Sequence, residues 1–414
     1  MKILWHSNAP WTPSGYGQQT ALFTPRIKAL GHEVAISAFY GLEGSMLDWE
    51  GMRVYPTDNT RFGKAMLPYY VGHFANGEVD PRDVLVLTLM DVWVLNEAVA
   101  KLSPLRMASW VPVDHDPVPP GVSQFFTHSG ARPIAMSRFG EAKLQEAGLD
   151  PLYVPHGVDT TLFRPQPDRD AIREGMGVPD GAFVIGMVAN NQGNSPPRKA
   201  FPQVFQAFSI FQKKHPDAFL YLHADMHGMN SGIKLRYLAE TCGIPERAYG
   251  CSDQMLLQLG LPAAAMSYVY STFDVLASPS YGEGFGIPIV EAQACGVPVI
   301  VTDWTAMPEL CGAGWLVEGD PWFDTHHGSF FMCPSVQKIV EAFEHAYEAR
   351  DDQGLRDRAV EFAAGYDVDT VMRDYWVPAL DELEKPREVA PLTSTNGSRA
   401  QRRAGARAKA KVTA

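Results

Sequence analysis

The chain has 414 residues, 46% of them hydrophobic and 20% charged, which excludes a disordered linker and a small scaffold that needs disulfides or a metal to fold. Its formal net charge is −12; Pro391–Ala414 holds six basic residues and no acid, so the remainder is more acidic still at −18, a field that excludes nucleic-acid binding across the main body. No apolar run reaches signal-peptide or membrane-span length, and the five cysteines are scattered without a CxxC spacing, so the expectation is a soluble, cytoplasmic protein with reduced thiols.

Strands and helices alternate along the chain. Lys2–His6 is a predicted strand, followed by a Gly/Pro/Ser loop over Asn8–Gly17 and a helix over Tyr16–Leu30, which Pro25 is expected to kink or split. Further strands are predicted at Glu33–Phe39, Val84–Leu89, Met107–Val113, Pro133–Ser137 and Pro151–Pro155. Phe163–Gly181, rich in Pro and Gly, is expected to be a linker. A second series follows: strands at Phe183–Val188, Phe219–His223, Val275–Ser278 and Val297–Thr302. Its helices are expected at Pro202–Lys214, Lys234–Cys242, Val336–Arg350, Leu355–Ala364 and Val368–Leu383. This pattern implies an α/β architecture of two Rossmann-like domains with parallel sheets, with ligands at the carboxyl ends of the strands and in the interdomain cleft.

The most informative stretch is SPSYGEGFGIPIVEAQACGVPVI from Ser278. A strand ends there and a glycine-rich turn, Gly282–Gly286, opens a helix with Pro288 in its first turn. Free N–H groups at such a helix start suit a diphosphate. Glu283 lies in the turn and Glu291 one helical turn in; as acceptor-only groups they suit sugar and ribose hydroxyls.

Glu283, seven residues and Glu291 resemble the EX7E motif of retaining glycosyltransferases of family 4, which have the GT-B fold. The resemblance extends to EAQACGVPVIVTDW, IAMSRFGEAKLQEAGL and YVPHGVDTTLF, and covers most of residues 1–385. It is similar in feel to stand-alone enzymes of phages. It implies a metal-independent hexosyltransferase-like enzyme, without a cofactor, that uses a nucleotide-sugar donor. Residues 1–165 would form the acceptor domain, 166–365 the donor domain, 366–386 a helix bracing the first domain, and 387–414 a disordered basic tail. Glu291 would hold the donor ribose and Glu283 the transferred sugar, while the amides of Gly284, Phe285, Gly286 and Ile287 would hold the diphosphate.

Arg198 and Lys199 follow the Phe183–Val188 strand and precede a helix, placed to neutralise a leaving diphosphate, or else an ordinary solvated pair. The family places a lysine there on the donor diphosphate, a role that passes to Lys199 and then Arg198. Where many members carry an arginine just after the strand, this chain has Asn190 and Asn191, and Asn190 is placed among the donor-binding residues. Gly15 and Gly17 in the first loop read as a plain turn on the residues alone, and the resemblance puts them over the cleft, near the donor phosphate or the acceptor. His115, in Asp114-His115-Asp116, is either a loop residue or, by the family analogy, a group reaching the donor sugar. Metal binding is not expected at this DxD triplet or at His223-Ala-Asp225-Met-His227, and His326-His327 is expected to be a surface pair.

The acceptor is a hydroxyl of unread class: a modified DNA base reached through the basic tail, a protein side chain, a polysaccharide or a small metabolite. A phosphorylase, an epimerase and a non-catalytic nucleotide-sugar-binding module are the rival readings.

Overall fold

The computed structural model describes residues 1–58, 60–193, 196–229 and 231–385. The basic tail, and with it the expected disorder and nucleic-acid tether, lies outside the described residues. The first sheet comprises β1 (Lys2–Asn8), β2 (Glu33–Tyr40), β3 (Leu47–Trp49), β4 (Met52–Tyr55), β5 (Leu85–Leu89), β6 (Arg106–Val111), β7 (Arg132–Ala135) and β8 (Leu152–Tyr153). Its order is β3-β4-β2-β1-β5-β6-β7-β8, parallel except for the β3–β4 hairpin. The second comprises β9 (Phe183–Val188), β10 (Ala218–His223), β11 (Tyr249–Cys251), β12 (Val275–Ser278), β13 (Val299–Thr302) and β14 (Gly314–Val317). It runs β11-β10-β9-β12-β13-β14 and is parallel throughout. A separate antiparallel hairpin follows, β15 (Gly319–Asp324) and β16 (Ser329–Pro334). Both sheets lie in one unit, Met1–Leu380.

Each central strand is apolar on both faces because helices cover both sides. The helix Phe201–Lys214 shows how the second core forms. Phe201, Val204, Phe205, Phe208 and Phe211 recur at helical spacing and meet Phe183, Ile185, Leu220 and Leu222 of the sheet. Phe205 and Phe208 are fully buried, each worth about 2–3 kcal/mol of apolar transfer. The first domain holds an aromatic cluster of Trp5, Phe23 and Trp110, to which the chain returns near its end. Trp376 packs 4.9 Å from Trp110 and 5.7 Å from Phe23, centroid to centroid. Ahead of it Val158 and Val368 exchange backbone bonds with Tyr366 and Val158, respectively, and Thr160 donates to Asp367.

Three expectations need correction. Pro25 neither splits nor ends its helix, which runs unbroken over Gly15–Ala29. The bond it removes is that to the Ala21 carbonyl on a partly exposed side, while Phe23, Thr24 and Ile27 anchor the other face. The segment Phe163–Gly181 runs between the two sheets but is more than a Pro/Gly loop: it holds the helix Arg169–Gly175, and Arg169 and Arg173 each reach a carboxylate oxygen of Asp274 at 2.8 Å. The last helix is interrupted by a π-helical turn over Met372–Trp376 between Val368–Val371 and Val377–Glu384. Elements without a strong sequence signal are the β3–β4 hairpin, β11, β14, the β15–β16 hairpin and the helices Leu67–Ala75, Pro120–Ser129, Arg138–Glu146, Gln254–Leu259 and Ala263–Ser271.

Both sheets reverse strand order at one point, β1/β5 in the first and β9/β12 in the second. Crevices at such reversals, beyond the carboxyl ends of the strands, are where this architecture leaves room for ligands. The loops there are Asn8–Ser14, the turn at Met90–Asp91, the described residues Ala189–Gly193 and Pro196–Ala200, and Ser280–Gly286.

Candidate active site

The loop after β12 ends at Gly286, whose φ of 114° lies in the left-handed region that favours glycine, and the helix Ile287–Ala294 begins immediately after it. Gly282 and Gly284 are required for a different reason. A Cβ on Gly284 would lie 2.3 Å from Pro112 Cβ, and one on Gly282 would lie 2.1 Å from the Asp114 carbonyl oxygen. The loop of the second domain therefore rests directly on residues 112–114 of the first. Phe285 turns its ring inward against His156 and Tyr366, at 5.1 and 5.7 Å, leaving the backbone of the turn for a ligand. Ile287 approaches from the same side: a Cβ on Gly15 would sit 3.1 Å from its Cδ1. Gly15 opens the helix Gly15–Ala29, and Gly17 donates its N–H to the capping hydroxyl of Ser14.

Glu283 meets both predicted cations. Arg198 Nη1 lies 3.0 Å from one carboxylate oxygen and 2.7 Å from the Gly282 carbonyl, and Lys199 Nζ pairs with the other oxygen. The two loops are tied further by a 2.8 Å bond from the Tyr281 N–H to the Arg198 carbonyl. Burial alone would push the Glu283 carboxyl up, but Arg198 and Lys199 outweigh it and hold the pKa at about 2. Burial and the neighbouring guanidinium depress Lys199, against the pull of Glu283. The Glu283 N–H donates to the Thr305 hydroxyl at 3.1 Å, and Thr305 itself adopts a left-handed φ of 53°. Thr305 gave no sequence signal.

Glu291, eight residues on, is engaged from two sides. Gln18 of the first domain donates to one oxygen at 2.8 Å, and the Tyr270 hydroxyl donates to the other at 2.6 Å. Burial raises the Glu291 pKa, and these two bonds oppose it. Neither partner was legible in the sequence, since Gln18 lies in an ordinary helical run and Tyr270 in an unpredicted helix. A fourth unforeseen group is Asp91, in the turn just after β5. Desolvation and the nearby Asp114 push its carboxyl up to about 6, while Arg198 and His327 pull against them.

His115 is enclosed. Its Nδ1 lies 2.7 Å from Asp114 and its Nε2 3.2 Å from Asp324 in the β15–β16 hairpin, and its ring stacks on Phe331 with centroids 3.7 Å apart. Burial alone would lower its pKa, but Asp114 and Asp324 reverse this and raise it. Asp114 also lies 4.0 Å from Arg198, so His115 connects to Glu283 through Asp114 and Arg198. The hairpin pairs with the first domain through backbone bonds between Asp116 and Phe330 at 3.2 and 3.3 Å. His326-His327 is therefore not a simple surface pair. His327 is half-buried, bonded to Asp324 and edge-on to Trp93 at 5.2 Å, because the unpredicted hairpin folds it over the first domain.

Other residues stand apart from this cluster. Asn190 is exposed and donates to Gln192, whereas Asn191 is buried and bonds the backbone of Asp225 and Ile233. His223 lies 2.8 Å from the Ser252 hydroxyl, and Asp225 accepts the N–H groups of His227 and Met229 in a loop, so these three do not converge on one point. Among the described residues no helix is long and apolar enough to cross a membrane.

Residues 168–364 match the family described as glycosyl transferases group 1. The D-inositol 3-phosphate glycosyltransferases of Corynebacterium jeikeium and Corynebacterium kroppenstedtii are 33% identical over 184 residues and 36% identical over 196. The matches cover 41% and 46% of this chain and 41% and 42% of those proteins, so the chain spans about two-fifths of the curated relatives' length. Among solved structures, a glycosyltransferase from Rickettsia africae superposes with a TM-score of 0.67 at 17% identity, over 93% of this chain and 99% of that one. Anabaena HepE in complex with UDP-glucose gives 0.66 at 17%, over 92% and 100%. The fold is thus GT-B, and the match to the group 1 glycosyl transferases falls on residues 168–364, the part that holds the second sheet.

Proposed function

We propose that the protein transfers a sugar from a nucleotide diphosphate sugar to a hydroxyl acceptor, with retention of anomeric configuration and without a metal ion in the transfer step. The observation that carries this reading is the meeting of Arg198, Lys199 and Glu283 with the helix start at Gly286–Ile287, all at the β9/β12 reversal. In the transfer, the bond from the sugar C1 to the diphosphate oxygen breaks and the acceptor oxygen bonds C1 on the same face. The acceptor proton passes to the departing phosphate oxygen. Lys199, Arg198 and the helix-start amides take up the negative charge that develops on the leaving group.

Glu283, released from part of its cation contact by the incoming diphosphate, would accept from the sugar's hydroxyls. Glu291 retains lone pairs on both oxygens beyond those used by Gln18 and Tyr270, and would accept from the ribose. His115 acts as a positioning residue, setting Asp114 against Arg198. Gly15 and Gly17 would cover the donor from the first domain, and Asn190 would join it if the exposed loop folds inward. Burial of the reacting atoms between the domains would keep water from hydrolysing the donor.

We assign the acceptor to a crevice of about 570 Å³ at the ends of β1 and β2, lined by Asn8, Phe39, Tyr40, Thr57, Thr60, Arg61, Phe62 and Gln192. Its three rings would pack against a sugar or cyclitol ring, while its hydroxyl and amide groups and one guanidinium would bind the hydroxyls and an anionic group of a small acceptor. The names of the Corynebacterium relatives agree with that chemistry; a DNA base or protein side chain remains the second reading, resting on the basic tail. The test is release of nucleoside diphosphate from UDP-, GDP- and ADP-sugars, with inositol phosphates, oligosaccharides and hydroxymethylated DNA as acceptors. Acceptor-dependent release with a retained anomer supports the reading. Donor binding without release in any combination points to a binding module instead.

A further inference from the structure

His115, Asp324 and His327 offer three metal-ligating atoms that all lie within 4.8 Å of one another. They come from two places in the chain, the loop after β6 and the turn of the β15–β16 hairpin. Each is held from behind by a group outside the cluster. Asp114 lies 2.7 Å from His115 Nδ1 and so turns Nε2 toward Asp324. The N–H of His326 donates to Asp324 Oδ1 at 2.9 Å, leaving Oδ2 facing both imidazoles. The His327 ring stands edge-on to Trp93. A carboxylate behind a histidine, with the other ring nitrogen aimed at a shared point, is the arrangement that orients ligands in zinc sites.

Four-coordinate zinc with bonds of about 2.0–2.1 Å sets its ligands about 3.3 Å apart; His115 Nε2 already lies 3.2 Å from Asp324 Oδ2, whereas His327 Nδ1 hydrogen-bonds the same oxygen at 2.5 Å and has to draw back for an ion to enter. The side chains of His115 and Asp324 are 1% and 5% exposed, whereas His327 is 25% exposed and has room to draw back as an ion enters. Two imidazoles and one carboxylate favour zinc and its first-row neighbours over calcium or magnesium, which prefer all-oxygen sites.

We infer that His115, Asp324 and His327 form a binding site for one divalent transition-metal ion of the zinc type, which fastens the β15–β16 hairpin of the second domain to the first. Three ligands leave the fourth position of a four-coordinate ion for water. The ion would bind the His115 nitrogen opposite Asp114 and take no part in the transfer step proposed above, and the inference stands whether or not that proposal does.

The test uses the full chain, stripped with a chelator, desalted, and titrated separately with Zn²⁺ and Co²⁺. The expected results are one equivalent bound, visible ligand-field bands of four-coordinate Co²⁺, and a melting temperature raised by Zn²⁺ through preferential binding to the folded state. His327→Ala should abolish the Co²⁺ bands and the Zn²⁺-dependent rise in melting temperature. Asp114→Asn, which removes the carboxylate behind His115 but none of the three ligands, should weaken Zn²⁺ binding about tenfold or more. His326→Ala, an exposed neighbour, should bind as the parent does. His327 is the least buried ligand, so a cooperative melt is expected of its variant and is recorded alongside. Absence of stoichiometric binding by the parent, or equal binding by parent and His327→Ala, overturns the inference.

Discussion

Gln18 of the first domain donates a hydrogen bond to Glu291 of the second across 2.8 Å, although 273 positions separate them in the chain. The bond joins the helix after β1 to the helix after β12, so the two strand-order reversals share a contact at the carboxylate proposed to hold the ribose. Replacing Gln18 with Leu leaves a buried carboxylate oxygen short of a donor. The expected cost is about 1–3 kcal/mol in urea unfolding, together with a raised KM for the donor sugar. An unchanged unfolding midpoint would show that the contact contributes nothing in solution.

Glu283 holds Arg198 and Lys199 in place and, at a pKa of about 2, stays ionised throughout the neutral range. Glu283→Gln and Lys199→Ala should each lower kcat by about 100-fold or more, the scale of removing one group that stabilises developing charge. Because Glu283 titrates so low, no step in the parent's rate profile between pH 4 and 9 should trace to it. Steady-state rates of the variants and a pH–rate profile of the parent check both statements.

Asp274 is a buried carboxylate facing Arg169, Arg173 and Arg356 at 2.8, 2.8 and 3.2 Å. It fastens the segment entering the second domain and the helix Gln353–Ala364 to the start of β12. Burial pushes its carboxyl up, but Arg169 and Arg173 outweigh this and hold it below the ordinary value. Its contribution is therefore complete above the unfolded-state pKa and is lost as pH falls through the lower folded value. Asp274→Asn should destabilise the protein by about 3 kcal/mol at neutral pH by leaving guanidinium groups uncompensated. The difference from the parent should shrink in unfolding experiments below pH 4.

His6 and His156 work in the same direction through the opposite charge type. Burial lowers their pKa values from 6.5 to about 4 and about 3. They stay neutral in the fold while the unfolded chain takes up protons. Stability is therefore intact above pH 7 and declines below about 6.5, at about 1.4 kcal/mol per pH unit for each histidine, until the folded values are reached. Urea midpoints measured from pH 7.5 to 4.5 should follow this slope, and His6→Gln should remove part of it.

The local chemistry of this chain is legible in one dimension wherever periodicity or glycine placement dictates it. Apolar runs such as Phe183–Val188 can only be strands buried on both faces, and the spacing of Phe201, Phe205, Phe208 and Phe211 requires a helix with one face on a sheet. The turn Gly282–Gly286 and its two glutamates likewise announce a site, since the backbone there must take a left-handed turn and open a helix. What the amino-acid order leaves undetermined are the partners. The hairpin Gly319–Pro334 carries two prolines and two glycines that mask its strands, and its role rests on folding back over the first domain. Gln18, Tyr270, Thr305, Asp324 and His327 reach the site from elements 21 to 273 positions away from the carboxylates and imidazole they serve, or from an unpredicted turn. Tyr270 and Thr305 arrive when the second domain packs its own helix and loop, and Gln18, Asp324 and His327 only when the two sheets are brought together; side-chain periodicity, which records one element at a time, carries no trace of either.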